Sequence, residues 1–416
     1  MMKLLWLCNM APGVVKEKIT GKAGAGGLWV DHVLKDLRGM DLQIHILCPG
    51  NGTSGTLDEG CGFTTFQTGL PYEYHPEQES LFREILRSFA PDVIHIWGTE
   101  YAHTLAMVNA AEQENLLDHC VVSIQGLCSV YTRHYAEGVP EKVQRGFTLR
   151  DFLRRDNIRQ QQKKFALRGE LEIQALKKVR HGIGRTDWDF ACTRQINPES
   201  EYHFCNETLR EPFYEGRWRY ESCRKHRIFA SSCAYPVKGF HYLLEAFGMI
   251  AEKYPDAILA VPGRSFLCGS TKEKLRQSGY EAYLARLAKK YHLENRIEFL
   301  GRLSAEEMKA QYLKANAFAM PSTIENSPNS LGEAMILGVP CVSAHVGGVE
   351  NLMRPNVEGF VYQPSASYML AHYLEEVFTR GAEAEVLGQA AVAHAATTHD
   401  PEGNFRNLMQ IYQDLA

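Results

Sequence analysis

The chain states one rhythm twice: a short apolar run, a turn, an amphipathic helical stretch, and another apolar run. In the first half, apolar runs at 4–8, 42–48, 91–96 and 121–124 alternate with helical patterns at about 28–37, 82–89 and 105–114. A second series opens near Arg227. It has runs at 228–231, 257–261, 296–300 and 317–320, and helical patterns at 242–251, 281–291 and 306–315. The strict alternation of strand and helix calls for a parallel sheet covered by helices. The expected class is therefore α/β, with two Rossmann-like, doubly wound domains facing each other across a cleft. The polar stretch Glu221-Ser222-Cys223-Arg224-Lys225-His226 marks the break. It divides an N-terminal domain, 1–222, from a C-terminal domain, 223–399, with a last helix in the tail 400–416. In such sheets ligands bind outside the carboxyl ends of the strands, so the chemistry is to be sought in the loops that follow them.

Composition removes several classes. The formal net charge is −4 over 416 residues, so no overall field favours nucleic acid. Eleven scattered cysteines, with no CxxC pair, fit a reducing compartment better than a disulfide framework or a zinc site. The apolar start, Met1 to Leu7, is too short for a secretory signal and reads as a first buried strand. No run reaches the length of a transmembrane helix, and the expected location is cytoplasmic. One segment departs from the average. Between 142 and 180, twelve Lys or Arg face four acids, a local net charge of +8, with Phe147, Leu149, Phe152, Leu153 and Ile158 interspersed. Two readings stand: a solvated helical face, or peripheral contact with an anionic membrane face or a lipid-linked acceptor.

The densest chemistry lies in Thr323-Ile324-Glu325-Asn326-Ser327-Pro328-Asn329-Ser330-Leu331-Gly332-Glu333-Ala334-Met335. The strand at 317–320 ends at Pro321, and Asn326 to Asn329 are turn formers. Ser330 with Glu333 three residues on reads as a capping box, opening a helix that stops at Gly338. Glu325 would then lie on the loop and Glu333 on the first helical turn. The amides of that turn suit phosphate, and the two carboxylates suit sugar hydroxyls.

The run Met320-Pro321-Ser322…Glu325…Glu333-Ala334-Met335…Gly338-Val339-Pro340-Cys341-Val342-Ser343…Gly347-Gly348-Val349-Glu350 resembles the donor-site signature of the family-4 glycosyltransferases. These are retaining enzymes of GT-B fold. The resemblance implies transfer of a sugar from a nucleoside diphosphate, UDP or GDP foremost, to a saccharide or lipid-linked acceptor. It implies no metal and no cofactor besides that co-substrate. It also implies that the last helix packs back on the first domain, and that the setting is assembly of cell-surface polysaccharide or glycoconjugate.

Carried over residue by residue, the resemblance makes Glu325 and Lys238 the catalytic pair. Glu325 would hold the transferred sugar and Lys238 the diphosphate. Glu333 would bind the ribose. Asn326, Ser327, Pro328, Asn329, Ser330, Leu331 and Gly263 would line the donor site. The family usually carries an arginine several residues before the lysine; here Cys233 and its neighbours stand there. A thiol does not replace a guanidinium, and Arg185 is the candidate to supply the charge. Gly26 and Gly27, Gln125, Glu100 and His103 are candidates on the acceptor side. Gln125 stands where many members carry histidine, and it can position a substrate but not accept its proton. Asp187-Trp188-Asp189 is read as a helix start rather than a metal motif. Two alternatives stay open: an epimerase or hydrolase of the same fold, and a non-catalytic nucleotide-sugar-binding protein.

Overall fold

The computed structural model describes residues 1–21, 29–58 and 60–416. Gly26 and Gly27 lie outside the described residues. The chain divides into two compact units. The first holds Met1–Thr132, Lys164–Arg210 and His399–Ala416; the second holds Arg133–Lys163 and Glu211–Thr398.

The first unit is built on eight strands: β1 (Met2–Cys8), β2 (Leu42–Pro49), β3 (Ser54–Asp58), β4 (Cys61–Phe66), β5 (Val93–Trp97), β6 (Cys120–Ser123), β7 (His181–Gly184) and β8 (Glu201–Phe204). Their order is β3-β4-β2-β1-β5-β6-β7-β8, parallel except for the β3–β4 pair. Leu4 to Leu7 are fully buried, as a central strand covered on both faces requires. The C-terminal helix Pro401–Leu415 packs on this sheet. Leu408, Ile411, Tyr412 and Leu415 join Trp6 and Trp97 in one core cluster, and Tyr412 Oη lies 2.6 Å from His95 Nδ1.

The second unit has six parallel strands: β9 (Arg227–Phe229), β10 (Ile258–Val261), β11 (Ile297–Phe299), β12 (Ala317–Met320), β13 (Cys341–Ala344) and β14 (Phe360–Tyr362). Their order is β11-β10-β9-β12-β13-β14. The helix Ala305–Lys314 opens behind the capping box formed by Ser304 and Glu307, as its spacing predicts.

Two boundaries differ from the sequence expectation. Residues 211–222 belong to the second unit because Trp218 is buried there, its indole donating to Ala315 O at 2.6 Å and its amide to Leu337 O at 2.7 Å. Residues 133–163, expected in the first domain, are also held by the second unit. Thr323 Oγ1 donates to His134 O at 3.0 Å, and Gly279 N donates to Asp151 Oδ2 at 2.7 Å. Such contacts are long-range and leave no local mark in the sequence.

Candidate active site

In the second sheet the chain runs from β9 outward to β10 and β11, then returns to β12 on the other side of β9. The loops after β9 and β12 therefore flank the switch point, where a doubly wound sheet leaves a crevice. Lys238 lies in the first of these loops, at the end of the turn Pro236–Lys238. Glu325 lies in the second. Lys238 Nζ sits 2.6 Å from Glu325 Oε1, and Ser322 Oγ donates to the same oxygen at 2.7 Å. Backbone bonds hold the loops together: Thr323 N donates to Val237 O at 2.9 Å, and Gly348 N, in the loop after β13, to Glu325 O at 3.3 Å. The Lys238 side chain is 36% exposed and that of Glu325 10%. A fixed carboxylate thus lies beneath an ammonium with a solvent side.

The helix after this loop spans Asn329–Leu337 and begins two residues earlier than expected. Its N-cap is Pro328, which makes no side-chain capping bond, so the Ser330–Glu333 capping box does not form. Ser330 is already helical, and its carbonyl accepts from Tyr312 Oη at 3.0 Å. Glu333 is the fifth helical residue, on the second turn, and is buried. The reason is local: Pro328 fixes an extended entry and takes the N-cap position, so the helix starts at Asn329, two residues before a cap at Ser330 would set it. Asn326 and Pro328 are buried, while Ser327, Asn329 and Ser330 are partly exposed at the helix start. Leu331 is a core residue, and its amide donates to Pro328 O at 2.9 Å. Gly263 N is engaged with Gly301 O at 2.7 Å. Cys233 is buried, which pushes its thiol up to about 12, so it offers no charge to a ligand.

Arg185, the candidate for the missing cation, is tied up within its own unit. It belongs to the first unit, is 5% exposed, and its Nη1 lies 2.5 Å from Glu207 Oε2. A second guanidinium nitrogen donates to Ile124 O at 3.0 Å. A buried arginine so paired is a structural tie, and freeing it would leave Glu207 uncompensated. Gln125 is part of the same group, donating from Nε2 to Glu207 Oε1 at 2.8 Å. These three side chains line one pocket of the first unit with Asn206, Thr208 and Asn404. Asp189 closes a capping box with Thr186, as the helix-start reading predicts. Among the described residues, the three-residue group with metal-ligand spacing is His181, Glu201 and His203, on β7 and β8.

The switch point of the first sheet lies between β1 and β5. Asn9 follows β1 and bridges the β5 loop: its Nδ2 donates to Glu100 Oε2 at 2.7 Å, and its Oδ1 lies 2.9 Å from His103 Nε2. Sequence inspection missed Asn9, although a polar residue directly after the first strand is the signal to look for. His103 is buried, which pushes its imidazole down to about 3, so it orients Asn9 and is withdrawn from solvent. Burial, with the carboxylate of Glu172 nearby, pushes Glu100 up to about 7 against a reference of 4.5; Arg168 opposes this. Glu172 is itself held by Thr99 Oγ1, Ser129 Oγ and two amides.

The sign of the pH effect follows. Between the two pKa values the unfolded chain has released the Glu100 proton while the folded chain retains it, so stability falls as pH rises through that window and levels off above it. Glu100→Gln is expected to flatten this slope, gaining about 1–3 kcal/mol relative to wild type at about pH 8 and little at about pH 4. Urea midpoints at the two pH values check it.

Two doubly wound sheets, each with polar loops gathered at its switch point, define the GT-B architecture. Solved structures share it over the whole chain. Sucrose-phosphate synthase from Thermosynechococcus elongatus superposes with a TM-score of 0.72 at 15% identity, over 99% of each chain. Anabaena HepE in complex with UDP-glucose gives 0.69 at 16%, over all of both chains. Residues 223–394 match the family model described as Glycosyl transferases group 1. The D-inositol 3-phosphate glycosyltransferase of Corynebacterium urealyticum is 27% identical over 181 residues, 43% of this chain and 41% of that one. The chain thus aligns with about two fifths of the length of that curated relative, and the family match falls within 223–394.

Proposed function

We propose that the protein is a retaining glycosyltransferase that moves a hexose or similar sugar from a nucleoside diphosphate to an acceptor hydroxyl, in polysaccharide or glycoconjugate assembly. The observation that carries this reading is the Lys238–Glu325 pair at the switch point of the second sheet, beside a helix start without a side-chain cap. The match of 223–394 to the group 1 family supports it.

The chemistry assigned is front-side displacement. The acceptor oxygen bonds to the anomeric carbon on the face the diphosphate leaves, the C–O bond to phosphate breaks, and its electron pair departs with the diphosphate. A phosphate oxygen of the leaving group takes the acceptor's proton. Lys238 and the amides at the start of helix Asn329–Leu337 stabilise the growing phosphate charge. Glu325, fixed by Ser322, accepts from hydroxyls of the transferred sugar, and Glu333 accepts from the ribose. In this scheme no protein carboxylate is a nucleophile, and protein groups rather than a metal meet the diphosphate.

A thermal-shift panel with UDP-, GDP-, ADP- and dTDP-sugars, with and without EDTA, tests the reading. UDP-glucose comes first because the Anabaena neighbour holds it. A donor at about 100 times its Kd adds about 2.7 kcal/mol, several degrees in Tm. The expected result is a shift with one nucleotide class that EDTA does not change. A shift abolished by EDTA refutes the metal-free scheme, and no shift with any donor removes the donor-site assignment.

A further inference from the structure

The short helix Leu149–Arg154 is folded inside out. Leu149, Phe152 and Leu153 stand at i, i+3 and i+4 and share one face. That face meets solvent: Leu149 is 52% exposed, Phe152 69% and Leu153 72%, with Phe147 just before them at 57%. The buried side chain of the helix is the acid. Asp151 is 1% exposed, accepts from Gly279 N at 2.7 Å and pairs with Arg150 at 2.9 Å. Four of the sixteen exposed large apolar side chains among the described residues therefore fall within 147–153. A cluster of this kind marks an interaction surface, whereas scattered exposed leucines do not.

The surroundings fix the kind of partner. Lys142, Arg145, Arg154, Arg155, Arg159 and Lys163 are exposed around the apolar face. The exposed acid beside them, Glu141, is paired with Arg145 and lies 3.8 Å from Arg159. Two copies of this face would bring like charges together, whereas an anionic bilayer offers both apolar depth and opposite charge. No helix among the described residues is long and apolar enough to cross a membrane, so the contact is with its surface.

We propose that residues 142–163 form a membrane-docking surface, with Phe147, Leu149, Phe152 and Leu153 entering the headgroup–acyl boundary and the flanking arginines binding lipid phosphates. Sequence composition left this segment between a solvated face and a membrane contact; the outward apolar face favours the second. The inference goes beyond the sugar-transfer reading and does not rest on it.

Flotation of the full chain with vesicles of phosphatidylcholine, alone or mixed with phosphatidylglycerol, tests it. Wild type is expected to bind the anionic vesicles about tenfold or more tightly than the neutral ones, less so with added salt. Phe152→Ser with Leu153→Ser is expected to weaken anionic binding by about tenfold or more. Arg154→Glu with Arg155→Glu should weaken it by a similar factor. All four positions are exposed, so unchanged Tm values separate lost docking from lost fold. Equal vesicle binding by wild type and the Phe152/Leu153 variant overturns the proposal. So does a dimer in gel filtration that this variant dissociates, with no vesicle binding by wild type.

Discussion

Glu325→Gln is expected to lower sugar transfer by about two to three orders of magnitude while the protein folds and binds nucleoside diphosphate as before. Glutamine keeps the shape of the side chain and an oxygen for Ser322 Oγ, which now donates to Glu325 Oε1 at 2.7 Å. In the proposed scheme it removes the negative charge that would accept strengthened hydrogen bonds from the sugar as the anomeric centre becomes electron-poor. That interaction grows in the transition state, so kcat should fall more than KM rises. Lys238→Ala acts on the group that the proposal sets against the leaving diphosphate, and is expected to weaken donor binding as well as turnover. The two side chains touch at 2.6 Å, so the double variant should lose less than the product of the single losses. Near-normal turnover by Glu325→Gln would remove the residue from the reaction. An equal loss of Tm in Glu325→Gln and Glu325→Ala would assign it to the fold instead.

The placement of Lys238 and Glu325 on strand-end loops was legible where local chemistry and spacing agree. Alternating apolar runs give the strands, and residues just past their carboxyl ends are brought to the switch point by topology, so Lys238 and Glu325 meet although 87 positions apart. The capping box at Ser304 and Glu307 was legible for the same reason, since both partners lie within one turn. Ser330 and Glu333 have the same spacing and form no box, because Pro328 sets the start of the helix at Asn329. Pairing between distant buried charges could not be read at all. Arg185 is neutralised by Glu207, on another strand's loop, a pairing that no local spacing announces. The residues 133–163 show the same limit, since they are held by long-range bonds such as that from Gly279 N, at a helix start more than a hundred residues away, to the buried Asp151 carboxylate.

Gly239→Ala and Gly347→Ala are each expected to destabilise the second unit by about 2–5 kcal/mol and to lower transfer by about a hundredfold, through backbone alone. Gly239 links the Lys238 turn to the helix Phe240–Ala251 at φ +62°, and a Cβ there would stand 1.8 Å from Pro321 O. Gly347 has φ +50°, and its Cβ would stand 1.7 Å from Glu325 O. Each substitution adds left-handed strain to a clash with rigid backbone, which only loop movement can relieve. Movement at Gly239 carries Lys238 away from Pro321 and the Glu325 loop. Movement at Gly347 pushes the carbonyl of Glu325 itself. A displacement of about 1 Å is enough to cost about a hundredfold in rate, so activity should drop well before the fold is lost. Gly182→Ala is the control: it lies in β7, its Cβ would meet nothing within 4 Å, and no destabilisation is expected. Urea midpoints and turnover of the three variants check the argument. Wild-type turnover by either switch-point variant would mean that the loops tolerate displacement, and that the Lys238–Glu325 geometry is not what sets the rate.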